Sequence, residues 1–106
     1  SKTFHITGLQ VSDFKKITAV RLEFDGNKPI VVSGDNGAGK SSLIDSMFFA
    51  LNGKGAEKPI RDGATKAKVV LKIAGADQAF EVERVVTAKG GASLKVTDGE
   101  GRQVPK

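Results

Sequence analysis

The sequence contains no cysteine. That excludes a disulfide framework and any thiolate metal site. Histidine occurs once, as His5. With no second histidine to join it, His5 reads as a strand-surface residue and not as a metal ligand. No apolar run approaches the roughly 18 residues needed to span a bilayer, and the first residues carry no signal-peptide apolar region. No membrane partner is expected, and a cytoplasmic location is. Proline is scarce: three residues against thirteen glycines point to many tight turns and away from a disordered linker.

What is present fits one small domain. A chain of 106 residues is too short for two ordinary domains, and its 39% hydrophobic content with six Phe suffices for a modest core. Domains of this size bury only about 60–68% of their unfolded surface, so the stability margin is thin. The net charge of +5 favours an anionic partner. Most of it is local. Between Asn52 and Lys72, six cations (Lys54, Lys58, Arg61, Lys66, Lys68 and Lys72) face only Glu57 and Asp62, which accounts for four of the five net charges.

Apolar periodicity divides the chain in two. Phe4, Ile6, Leu9 and Val11 form a strand pattern with a phase slip at Gly8, and Ile17–Asp25 alternates as a half-buried strand does. After a turn at Asp25-Gly26-Asn27, the continuous run Pro29–Ser33 predicts a strand buried on both faces. Leu43, Met47, Ala50 and Leu51 then recur at helical spacing until Asn52-Gly53 ends the helix. Phe48 and Phe49 are expected between helix and sheet. In the second half Val69, Leu71 and Ile73, then Phe80, Val82 and Val86, then Leu94 and Val96 alternate between glycine-bearing turns. Folding the first of these hairpins about Gly75-Ala76 sets Leu71 opposite Phe80, Val69 opposite Val82 and Lys68 opposite Glu83. The expected fold is α/β: a mixed sheet with one helix after the third strand and an antiparallel meander.

Chemistry is concentrated between the third strand and the helix. Gly34-x-x-x-x-Gly39-Lys40-Ser41 fits the phosphate-binding P-loop. Glycines let backbone approach a polyphosphate without a Cβ in the way. Successive N–H groups from about Gly37 to Ser42 form an anion nest at a helix start, where amides lack acceptors. Lys40 would reach the β/γ-phosphates, the Ser41 hydroxyl would ligate Mg²⁺, and Ser42 would meet the α-phosphate of ATP. Nothing supports GTP, because Asn27-Lys28-Pro29-Ile30 precedes the P-loop and ends in Ile.

The wording around the motif narrows it. Gly34–Leu51, reading GDNGAGKSSLIDSMFFAL, resembles the SMC-like branch of ABC-type ATPase heads, which includes the SMC proteins, SbcC-type break-repair ATPases, RecF and RecN. Phe14-Lys15-Lys16 is similar to the turn after their first strand, and Ile60–Ala64 to their post-helix arginine loop. Ser46 stands where these heads often have Ala.

The resemblance implies that Asn36, Gly37, Ala38, Gly39, Lys40, Ser41 and Ser42 hold the triphosphate, with Lys15 and Lys16 flanking the nucleotide. It further implies a role in double-strand break repair or chromosome maintenance, dimerisation with a second head on ATP binding, a nuclease subunit as partner and a nucleoid-associated location. Lys66, Lys68 and Lys72 point away from the core by alternation and would suit DNA backbone, with Glu81 and Glu83 cancelling part of their charge.

Several parts of such a head are missing from this sequence. There is no run of four apolar residues ending in Asp-Glu, no Leu-Ser-Gly-Gly, and neither Gln78 nor Gln103 has the context of the nucleotide-sensing glutamine. No coiled-coil heptads follow. Residues 1–106 are therefore expected to be one domain, the N-terminal half of a head, that binds ATP without hydrolysing it until the C-terminal half joins it. Two alternatives remain at this point: an ABC transporter nucleotide-binding subunit, and an ATP-sensing interaction module that never hydrolyses.

Overall fold

The computed structural model describes residues 4–25, 28–34, 40–53, 58–75, 77–99 and 102, without the side chains of 25, 29, 31–34 and 40–42. Strands β1 (His5–Phe14), β2 (Ile17–Asp25) and β3 (Lys28–Gly34) precede helix α1 (Lys40–Asn52). Strands β4 (Lys66–Ala74), β5 (Ala79–Thr87) and β6 (Ala92–Asp98) follow it. They form one six-stranded sheet in the order β3-β2-β1-β4-β5-β6. The helix lies across β1, β4 and β5 on one face.

Every pairing is antiparallel, where a mixed sheet was expected. The connections explain this. Two residues join β2 to β3, a link that only antiparallel neighbours allow. The helical excursion after β3 returns the chain beside β1, running against it, and not beside β3. β3 is consequently an edge strand, not one flanked on both sides, and Ile30 is 48% exposed.

The phase slip near Gly8 is a β-bulge. Ile6 pairs with Ile73 and Gly8 with Lys72, leaving Thr7 over, so that Ile6 and Leu9 both reach the helix-covered face. That face carries Leu9, Val11, Val20, Leu22, Val69, Leu71 and Val82, all buried. α1 lays Ser46, Phe49 and Ala50 onto it. Ser46 is fully buried, and its hydroxyl donates to the Leu43 carbonyl at 2.6 Å, so this small polar residue lets the helix sit close without an orphaned group. Phe49 meets Phe14 with ring centroids 5.3 Å apart. The helix ends at Gly53, whose φ of 71° and N–H bond to the Phe49 carbonyl make a left-handed cap. A Cβ at Gly53 would lie 2.8 Å from Arg84 Nη1, the movable end of a long side chain, so it is the positive φ that favours glycine there.

Two sequence expectations shift. The β4–β5 register is displaced by two residues: Leu71 faces Val82, Ile73 faces Phe80 and Val69 faces Arg84. Ala74 pairs with Ala79 and Gly75 N–H donates to the Gln78 carbonyl, which puts the centre of the hairpin one residue beyond the expected one. Because the slip is even, each side chain keeps its face. The second shift concerns α1. Phe49 is buried, but Phe48 and Leu51 are each 56% exposed and Ile44 is 49% exposed. At 100° per residue these three share a stripe opposite the sheet.

Candidate functional site: the start of the P-loop helix and its braces

The phosphate-loop residues Asn36, Gly37, Ala38 and Gly39 fall outside the described residues. Lys40, Ser41 and Ser42 are described in backbone only, as the first three residues of α1. The sequence thus places the motif where such a site requires it, from the end of β3 into the helix start. The first turn of α1 holds no acidic residue, although carboxylates are favoured there, so the positive end of the helix dipole is not compensated by an acidic residue of that turn. That charge pattern fits an anion.

Around the helix start the chain is braced by contacts that sequence spacing does not reveal. The two-residue turn between β1 and β2 carries Lys15 and Lys16. Asp13 and Lys15 both have φ of 52°, a left-handed conformation uncommon outside glycine, on either side of the fully buried Phe14. The loop before β4 holds this geometry in place. Lys15 N–H donates to the Pro59 carbonyl at 2.7 Å, Arg61 N–H donates to the Asp13 carbonyl at 2.8 Å, and Phe14 bridges Ile60. Arg61 Nε also donates to the Asp13 carboxylate at 3.0 Å. Lys15 Nζ reaches the helix itself, meeting Asp45 Oδ2 at 2.6 Å. Lys15 therefore lies against α1, while Lys16 beside it is exposed.

The far end of α1 is held by a second cation. Arg84 on β5 donates from Nε to the Ala50 carbonyl at 3.3 Å, and its guanidinium carbon lies 6.0 Å from the Phe49 ring centroid. A positive side chain at the helix C-terminus complements the dipole there. Asp13, Asp45 and Arg84 were not anticipated. Asp13 and Arg61 are 48 residues apart, and nothing in either segment announces the pair. Asp45 offered one signal, a lone carboxylate within an otherwise apolar and hydroxyl-bearing helix.

The basic segment does not form one stripe. Lys66 and Lys72 are exposed on the uncovered face of the sheet, as alternation predicts. Lys68 is paired with Glu83, Nζ to Oε2 3.4 Å, diagonally and not directly across the hairpin. Lys72 stands opposite Glu81. Arg61, another cation of that segment, is engaged by Asp13. His5 is exposed near the start of β1.

A family profile described as an AAA domain matches residues 9–104. The chain belongs to that family. This AAA domain is 37% identical over 90 residues to the DNA double-strand break repair Rad50 ATPase of Halobacterium salinarum, covering 80% of the chain and 10% of that protein. It is 33% identical over 66 residues to the DNA replication and repair protein RecF of Allorhizobium ampelinum, covering 62% of the chain and 17% of that protein. A solved structure of the recombination mediator RecF with ATP superposes with a TM-score of 0.69 over 98% of the chain and 28% of its own length, at 17% identity. The fold and the relatives make this AAA domain an N-terminal lobe of the SMC-like, ABC-type ATPases. It spans less than a third of the length of each of these relatives. No helix among the described residues is long and apolar enough to cross a membrane.

Proposed function

We propose that this chain binds Mg·ATP at the start of α1, as the nucleotide-holding half of an ATPase head that acts in DNA repair. The carrying observation is the placement of Gly34–Ser41 between the end of β3 and a helix whose first turn has no carboxylate. In this reading the amides of Asn36 to Ser42 receive the phosphates, and Lys40 neutralises the β/γ-phosphates. Ser41 supplies a hydroxyl to Mg²⁺, and Lys15 and Lys16 flank the nucleotide from the β1–β2 turn. Mg²⁺ held there would supply Lewis-acid stabilisation of phosphate charge. Residues that orient water and complete the charge stabilisation are not encoded in this sequence.

The C-terminal half of such a head would dock on α1 and beside β3. α1 is apolar on two sides, and Ile44, Phe48 and Leu51 remain bare on the side away from the sheet. A helix apolar all round belongs between two layers. β3, the strand leading into the phosphate loop, is an edge with an exposed Ile30. Both features support the C-terminal half of the same head as occupant. Phosphate release by the chain alone should equal that of buffer, and adding the separately produced C-terminal half should restore turnover. Phe48→Asp should block that restoration while leaving ATP binding intact. Turnover by the isolated chain that depends on Lys40 would refute the division of labour.

The assembled head would pair with a second head on nucleotide binding and work with a nuclease subunit on DNA, near the nucleoid. The open sheet face contributes weakly to DNA contact, because Lys68 is ion-paired and Glu81 faces Lys72. About three effective phosphate contacts imply a log–log salt slope of roughly −3. Lys66→Glu combined with Lys72→Glu should weaken duplex binding for all sequences alike and leave ATP affinity unchanged. Equal low-salt binding by the double variant in a gel-shift titration would remove this face from the DNA interface.

A further inference from the structure

We infer that Asp45 restrains Lys15 and so sets how tightly the site holds a polyphosphate, a step that rests on the Mg·ATP reading above. The geometry separates what fixes the Lys15 backbone from what fixes its ammonium. The backbone is held by the Pro59 carbonyl, by the Arg61–Asp13 contacts and by the buried Phe14 between two left-handed residues. None of these involves Asp45. The Asp45 carboxylate holds only the far end of the side chain, at 2.6 Å.

Asp45 stands four residues beyond Ser41 on α1, one helical turn or about 6 Å along the axis. A lysine ammonium released from Asp45 sweeps a radius of similar size about its Cα. The Asp45 carboxylate and the phosphates at the helix start are thus two anionic acceptors for one cation. Asp45 also places a negative charge one turn from those phosphates, uncompensated once Lys15 leaves it. Both effects oppose nucleotide in the same direction. By reciprocity, nucleotide that draws on Lys15 loosens the Lys15–Asp45 pair by the same factor. The Pro59 and Arg61 bonds to the same turn extend that linkage to the loop before β4.

A calorimetric mutant cycle with Mg·ATP tests this. A partly exposed ion pair is worth about 0.2–1 kcal/mol, so Asp45→Asn should tighten binding roughly 1.4- to fivefold. Lys15→Gln should weaken it. Asp45→Asn should then give a smaller gain in the Lys15→Gln background, where only the direct charge effect of Asp45 remains. In the wild type, the Lys15 ammonium resonance should move on addition of Mg·ATP. Unchanged or weaker binding by Asp45→Asn, or the same gain in both backgrounds, would overturn the restraint. The broader reading fails separately, if Lys40→Ala binds ATP as well as the wild type.

Discussion

Replacing Lys40 with alanine should weaken Mg·ATP binding by about 10–150-fold with no loss of thermal stability. A hydrogen bond between an ammonium and a phosphate oxygen is worth about 1.5–3 kcal/mol, and each 1.4 kcal/mol is a factor of ten. Lys40 begins α1, where alanine is a good helix former, so the exchange removes charge without disfavouring the helix. AMP, which lacks the β- and γ-phosphates, should lose far less affinity than ATP. Calorimetric titration of both nucleotides against wild type and variant reads this directly. Equal ATP affinities would reject the assignment of Lys40.

Phe14→Ala should cost about 3–5 kcal/mol of folding stability, the range for deleting a buried aromatic ring. The ring is fully buried, packs on Phe49 and sits between two left-handed residues, so neighbours cannot collapse into the space without disturbing the turn that carries Lys15. At about 0.05–0.15 kcal/mol per residue, a domain of this length has roughly 5–15 kcal/mol in all. The variant therefore loses about a fifth of its stability or more. Phe48→Ala, by contrast, should change the unfolding free energy read from a urea titration by less than about 0.5 kcal/mol in the isolated chain, because the side chain is 56% exposed. A buried phenylalanine at the end of β1 and an exposed one on α1 are thereby separated by a denaturation curve. Similar losses for Phe48→Ala and Phe14→Ala would contradict the two-sided description of α1.

Much of this was legible in the residues, and the failures share a cause. Local pattern located β2 to the residue, the Gly8 irregularity and the Gly53 cap, since each depends on neighbours in sequence. Periodicity reported that α1 is apolar, but it could not say which apolar stripe meets the sheet. Phe48 and Leu51 fit the helical spacing as well as Phe49 and Ala50 do, and the sheet covers only one side. The apolar run at β3 was read as fully buried because composition describes the environment a strand was selected for. Within this chain, one edge of that strand has no partner among the described residues. The braces were illegible for a different reason. Asp13–Arg61, Lys15–Asp45 and Arg84–Ala50 join segments 30 to 48 residues apart, and a contact across that separation leaves no local trace.

The central claim, that this lobe receives a triphosphate where β3 enters α1, is tested most directly by mapping amide resonances during titration with Mg·ATP. The largest shifts should fall on Gly37 to Leu43, where backbone N–H groups would change acceptor, and smaller ones on Lys15 and Lys16. Amides of β5 and β6 should stay still. Shifts confined to the open face of β4 and β5, or a spectrum unmoved by millimolar Mg·ATP, would contradict it.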